Sequence, residues 1–215
     1  MNAPMCKGFE RRMLLPRFFC SFALWVGVAL ASAACVANQP FPSDQTPEGA
    51  YARVTLAIND RRWTDIFPYL DDRSQWALHT IARERRESRE TVAQFPPDIR
   101  ADFEAILADA TTQNEGAEVF VAMAFKHHWL EDLARDLSKI DHIEGSGDTR
   151  VLVTAHGARY PFVRRKGGIW GLAMWRETFE QEAERATRDR ARIEKARDDL
   201  SRMHRLSAAN SSERH

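Results

Sequence analysis

The apolar residues of this chain change period at Ile140, and that change restricts the fold more than any other feature of the sequence. From Ala50 to Leu137 they recur at three- and four-residue steps, the spacing of helix faces. From Ile140 to Trp175 they fall in short alternating runs cut by Gly145-Ser146-Gly147, Gly157 and Gly167-Gly168, the pattern of antiparallel strands joined by tight turns. From Arg176 to Arg205, 17 of 30 residues are charged, so that stretch can bury only a narrow stripe. This order predicts an α+β chain: N-terminal helices packed on a C-terminal antiparallel β-meander, followed by a long charged C-terminal helix.

Thr46-Pro47-Glu48 reads as a helix start, with a capping hydroxyl, proline at the first helical position and an acid behind it. Ala50, Val54, Ala57 and Ile58 form the apolar face, and Asn59-Asp60 breaks it. Trp63, Ile66, Phe67 and Leu70 give a second short face that Pro68 keeps irregular. Ser74 is placed to cap a third helix with Trp76, Leu78, Ile81 and Ala82 as its apolar positions. Its far end, Arg83 to Arg89, is almost all charged and is expected to project into water. Phe95-Pro96-Pro97 stops it, and Asp98 to Leu107 forms another helix with Ile99, Phe103, Ile106 and Leu107 on one side. Val119, Phe120, Met123, His127, Leu130, Leu133 and Leu137 mark one long amphipathic helix or two short ones.

Four strands are expected: Ile140–Ile143, a run around Val151 and Val153, Tyr160–Val163, and Ile169–Trp175. The last is apolar on both faces and needs cover on both. In the charged segment, Phe179, Ala186, Ile193 and Leu200 recur every seven residues. They suit either a weak coiled-coil seam over 179–203, offering a surface to a second copy, or a solvated helix whose first turns dock on the sheet. Residues 207–215 are expected to be disordered.

The N-terminus reads as an export signal over 1–34. Lys7, Arg11, Arg12 and Arg17 precede an uncharged, mostly apolar stretch from Phe18 to Ala34 that ends in small residues. An uncleaved anchor or a twin-arginine signal at Arg11-Arg12 are the alternatives, and Met5 or Met13 would serve as a later start. Removing those four cations and Glu10 from the chain's 31 basic and 31 acidic residues leaves 27 against 30. That balance gives no global footprint for nucleic acid. The chain has three cysteines, and Cys6 and Cys20 leave with the signal, so Cys35 has no intramolecular partner. Ser32-Ala33-Ala34-Cys35 resembles the lipobox of bacterial lipoproteins, with Ser32 where leucine is usual. The resemblance implies lipidation at Cys35 and a domain facing the periplasm on a flexible tether, 35–45. Cleavage by ordinary signal peptidase after Ala31-Ser32-Ala33 would instead make the protein soluble and periplasmic.

Two stretches of the domain at 46–175 resemble the nuclear transport factor two-like superfamily, also called SnoaL-like or cystatin-like. One runs from Ala52 to Trp63 with Asp65-Ile66-Phe67 behind it, and is similar to that superfamily's opening helices. The other, Val151 to Leu172, is similar to its closing strands. The resemblance implies a curved sheet and helices around a conical pocket, used by some members for acid–base catalysis and by many only for binding. By sequence order Asp65, Tyr69 and His79 would lie near its rim.

Two further constellations carry chemistry. His127-His128 with Glu131 and Asp132 has one-turn spacing for metal ligation, but no second cluster would complete a site; His127 also falls on the apolar face. Arg159 with Arg164-Arg165-Lys166 makes a basic hairpin suited to lipid headgroups or an anionic ligand. No phosphate loop, serine elbow, CxxC or HExxH occurs, and no cofactor is expected. The sequence therefore predicts an envelope lipoprotein that binds a small ligand or a protein partner. A pocket acid–base enzyme and an adaptor assembled through the charged helix 176–206 are the rivals.

Overall fold

The computed structural model describes residues 43–108 and 112–212. The signal, Cys35 and most of the tether lie outside the described residues. The elements are α1 (Pro47–Asn59), a 3-10 helix (Trp63–Tyr69), α2 (Asp72–Val92), α3 (Pro97–Leu107), α4 (Gly116–Lys126), α5 (Trp129–Asp136), β1 (Ile140–Glu144), β2 (Thr149–Thr154), β3 (Arg159–Arg164), β4 (Trp170–Leu172) and α6 (Arg176–Ser212). The chain is α+β, with helices, an antiparallel sheet in the order β1-β2-β3-β4, and a terminal helix. No helix among the described residues is long and apolar enough to cross a membrane.

The helix starts follow local chemistry. Thr46 Oγ1 accepts the Gly49 N–H at 3.1 Å, and Pro47 opens α1. At α2 the cap is Asp71, not Ser74. Its carboxylate accepts from the Arg73 and Ser74 backbones at 3.0 and 3.4 Å, and the Ser74 hydroxyl donates to it at 2.5 Å. An extended Asp71 starts the helix three residues earlier than the serine would. Between α4 and α5, His128 takes a left-handed conformation, φ 59°, which divides the amphipathic stretch into two helices.

The sheet pairs Leu152 with Tyr160 and Phe162 with Leu172. Leu152, Phe162 and Leu172 are almost fully buried and meet Ile66, Leu70, Leu78, Ile81 and Phe120 in the core. β4 is only three residues long, shorter than the alternation suggested, and all three are buried. Its far side is covered by the chain entering α2: the Asp71 N–H donates to Leu172 O at 3.0 Å, and Leu70 bridges Leu172 in parallel. Gly171 is what allows this approach, because a Cβ there would lie 2.6 Å from Asp71 Cα. Tyr51 ties α1 to the start of the sheet, donating from its hydroxyl to Ser138 O at 3.0 Å.

α6 docks along α2, well beyond its first turns. Phe179, Ala186 and Ile193 of the seven-residue stripe are buried against the same chain. Phe179 joins Phe120, Trp129 and Trp175 in an aromatic cluster; Trp129 stacks on Trp175 at 5.1 Å and 13°. The charged far end of α2 faces water only in part: Arg83 and Arg86 are exposed, but residues between and after them turn inward. Glu84, Arg85 and Ser88 are buried at the α2–α6 interface. Arg85 donates to Asp189 at 2.6 Å and to Glu182 at 3.0 Å, while Arg190 reaches Glu84, Glu87 and Glu194. Acids on the facing helix are what make burial of these charges tolerable. Farther along, Val92, Phe95 and Ile193 form a smaller cluster covered by Ile99 and Phe103 of α3. α6 stays helical past position 206, to Ser212, where disorder was expected.

Candidate functional site: an open groove beside Trp76

The buried face of α2 carries Ser74, Ala77, Leu78, Ile81 and Ala82. Trp76 falls off that face and is 70% exposed, although helical spacing alone assigns it to the core. It lies in an open groove of about 1080 Å³ between the first half of α2, the facing turns of α6 and the β3–β4 hairpin. His79 and Thr80 continue the α2 wall, Ala183 and Glu184 form the α6 wall, and Lys166 closes the hairpin end.

The groove's charges are mostly paired. Arg73 bridges to Glu180 at 2.7 Å, Asp72 accepts from Arg165 at 2.5 Å, and Glu184 meets Arg188 at 3.5 Å. Lys166 has no ion-pair partner among the described residues. Among the described residues the groove offers a large aromatic face, a lysine with no ion-pair partner and several fixed hydrogen-bonding groups. Such groups can meet apolar and anionic chemistry side by side.

The candidates named from sequence are not brought together. Asp65 is half-exposed and bridges to Arg62 at 2.8 Å. Tyr69 is packed on the core. His79 does line the groove, edge-on to Phe67 at 5.3 Å, but no hydrogen bond links it to a carboxylate among the described residues. It is held close: a Cβ on Gly116 would lie 2.9 Å from its Nδ1. The basic hairpin also divides. Arg159 pairs bidentately with Glu144. Arg165 is turned inward, donating to Asp72, to Pro68 O at 2.5 Å and to Gln75 at 3.1 Å. Of these four hairpin cations, Arg164 and Lys166 are the two that are exposed and form no ion pair among the described residues.

His127 is exposed and stacks on Trp129 at 4.9 Å, so it does not belong to the apolar face. His128 contacts Glu131 at 3.3 Å, and no group of three or more metal-ligating side chains occurs among the described residues. The shifted titrations lie away from the groove. Burial pushes the Tyr51 and Tyr160 phenols up, and the carboxylates of Asp141 and Glu144 raise His142.

No family model, no curated protein and no solved structure matches this chain.

Proposed function

We propose that this chain is a non-enzymatic binding protein of the bacterial cell envelope, anchored through a lipid on Cys35, with the groove at Trp76 as its binding surface. The observation that carries the binding reading is the exposure of Trp76. A tryptophan presents about 150–250 Å² of mostly apolar surface, and leaving it in water beside a free lysine suits a contact made with another molecule. The tether reading rests on the lipobox-like Ser32-Ala33-Ala34-Cys35 and on the absence of a partner for that cysteine in the mature chain. The helices-then-meander order fits the nuclear transport factor two-like resemblance, in which many members bind without catalysis.

Two measurements test this. The native mass of protein extracted from membranes should begin at Cys35 and include diacylglycerol, and Cys35→Ala should lose it; a mature chain without lipid would overturn the anchor. A photoreactive amino acid at position 76, irradiated in cells, should form adducts that the same residue at exposed Glu90 does not. Equal labelling at both positions would overturn the groove.

A second reading has its own observation. Met203 and Leu206 are 56% and 60% exposed on the outer turns of α6. An adaptor assembled through that end should lose oligomeric mass when residues 201–215 are removed, and unchanged mass would remove the reading.

A further inference from the structure

The tether proposed above joins the domain beside the β3–β4 hairpin. Asp44 O accepts from the Trp170 backbone at 3.0 Å, and Gln45 O accepts from the Trp170 indole at 3.1 Å. Trp170 is the register partner of Arg164, at the base of the hairpin that carries Lys166. Cys35 lies eight residues before Ser43. Such a segment spans at most about 29 Å fully extended, and roughly 16 Å as a flexible coil. The hairpin tip and the adjoining groove would therefore stay within tether reach of the bilayer surface.

The chemistry of that side suits a headgroup layer. Arg165 locks the hairpin against the start of α2 through Asp72, Pro68 and Gln75, so its neighbours Arg164 and Lys166 are displayed on a rigid base. Arg150, stationed over the Trp170 ring at 5.8 Å, adds a third cation. On the far rim stands Trp76, and tryptophan settles at the depth of lipid headgroups. The groove's own acids are already neutralised by Arg165, Arg73 and Arg188.

We infer that the hairpin tip and the Trp76 rim form a membrane-contacting face, with Trp76 entering the headgroup layer and Arg164 and Lys166 meeting the phosphates of an anionic bilayer. This rests on the tethered binding protein proposed above and names the occupant of its groove as lipid headgroups.

The test uses the lipidated protein reconstituted into vesicles of phosphatidylcholine with phosphatidylglycerol, or of phosphatidylcholine alone. A photoreactive residue is placed at Trp76, at Gly167 or at Glu90. Position 167 tolerates it, since nothing lies within 4 Å of a Cβ there. Glu90 is 14 residues along α2 from Trp76, roughly 21 Å away on the helix axis. Phospholipid adducts are expected at 76 and 167 but not at 90, and more of them with phosphatidylglycerol. Arg164→Ala and Lys166→Ala should each lower the yield at 167 by roughly fivefold. Equal adducts at all three positions, or none, would overturn the inference. A lipid on Cys35 together with a protein adduct at 76 in cells, but no phospholipid adduct in vesicles, would overturn this inference and leave the groove reading standing. If Cys35 carries no lipid, the tether reading falls. The unlipidated protein is then floated with the same vesicles, and failure to float removes the membrane face as well.

Discussion

Arg85 donates to the Asp189 carboxylate at 2.6 Å while only 2% of the arginine side chain is exposed. The two residues are 104 positions apart, and their contact fastens the middle of α2 to the terminal helix. Glu182 holds the other guanidinium nitrogen, so removing either acid leaves the buried cation half-paired. Asp189→Ala is expected to cost about 2–3 kcal/mol in urea unfolding, below the range for a wholly buried pair because Asp189 keeps some exposure. Replacing Arg85, Glu182 and Asp189 together by Met, Leu and Leu should recover most of that loss.

Gly171 and Gly167 should respond oppositely to the same substitution. Gly171→Ala drives a methyl into the Asp71 backbone and is expected to lower stability by about 3 kcal/mol. Gly167→Ala meets nothing within 4 Å and should be neutral or slightly stabilising in the same thermal melts.

Tyr51 and Tyr160 lie 5.3 Å apart, ring to ring, yet their hydroxyls differ. Tyr51 donates to Ser138 O, whereas the buried Tyr160 hydroxyl has no partner among the described residues. Tyr51→Phe should cost about 1 kcal/mol, and Tyr160→Phe should be neutral or stabilising. Both phenols titrate above the ordinary value of 10.0, chiefly through burial. Their contribution to stability is therefore complete below pH 10.0 and lost as pH rises, because the unfolded chain ionises first. Absorbance titration of the double Phe variant should lose the late tyrosine phase.

On the exposed face of β1, Asp141 and then Glu144 hold the His142 imidazole above its ordinary 6.5. Arg159 and then His142 hold Glu144 below 4.5. The histidine's contribution is full below pH 6.5 and fades as pH rises through its raised value. The glutamate's is full above pH 4.5 and fades as pH falls through its lowered value. The cluster is thus fully favourable between those limits. In an NMR titration, Asp141→Asn with Glu144→Gln should return His142 to the ordinary histidine range; an unmoved midpoint would refute the carboxylates as the cause.

Legibility in the sequence followed the range of the interaction involved. Thr46 could be read as a cap because its hydroxyl reaches only to Gly49, three residues on. The meander could be read because alternation and glycine turns are properties of neighbouring residues. Sequence alone places the cap of α2 at Ser74, three positions late, since Asp71 and Ser74 have equal capping chemistry and the Asp71–Leu172 contact is long-range. Trp76 sat near the apolar spacing of α2, and nothing local showed that α6 would leave that side open as a groove. Arg165 looked like its neighbours Arg164 and Lys166 until the hairpin folded onto Asp72 and Gln75.

What the sequence determined by itself was the class of architecture: the change of hydrophobic period at Ile140 separates helices from strands through backbone rise and side-chain direction alone. Only the tertiary structure decided which of the many charged residues are buried. Arg85 looks in sequence like Arg83 and Arg86, and Glu84 like Glu90, yet Arg85 and Glu84 leave water because carboxylates and an arginine about 100 residues away converge on them. The same packing of α2 against α6 and the hairpin leaves Trp76 and Lys166 outside, on one open groove.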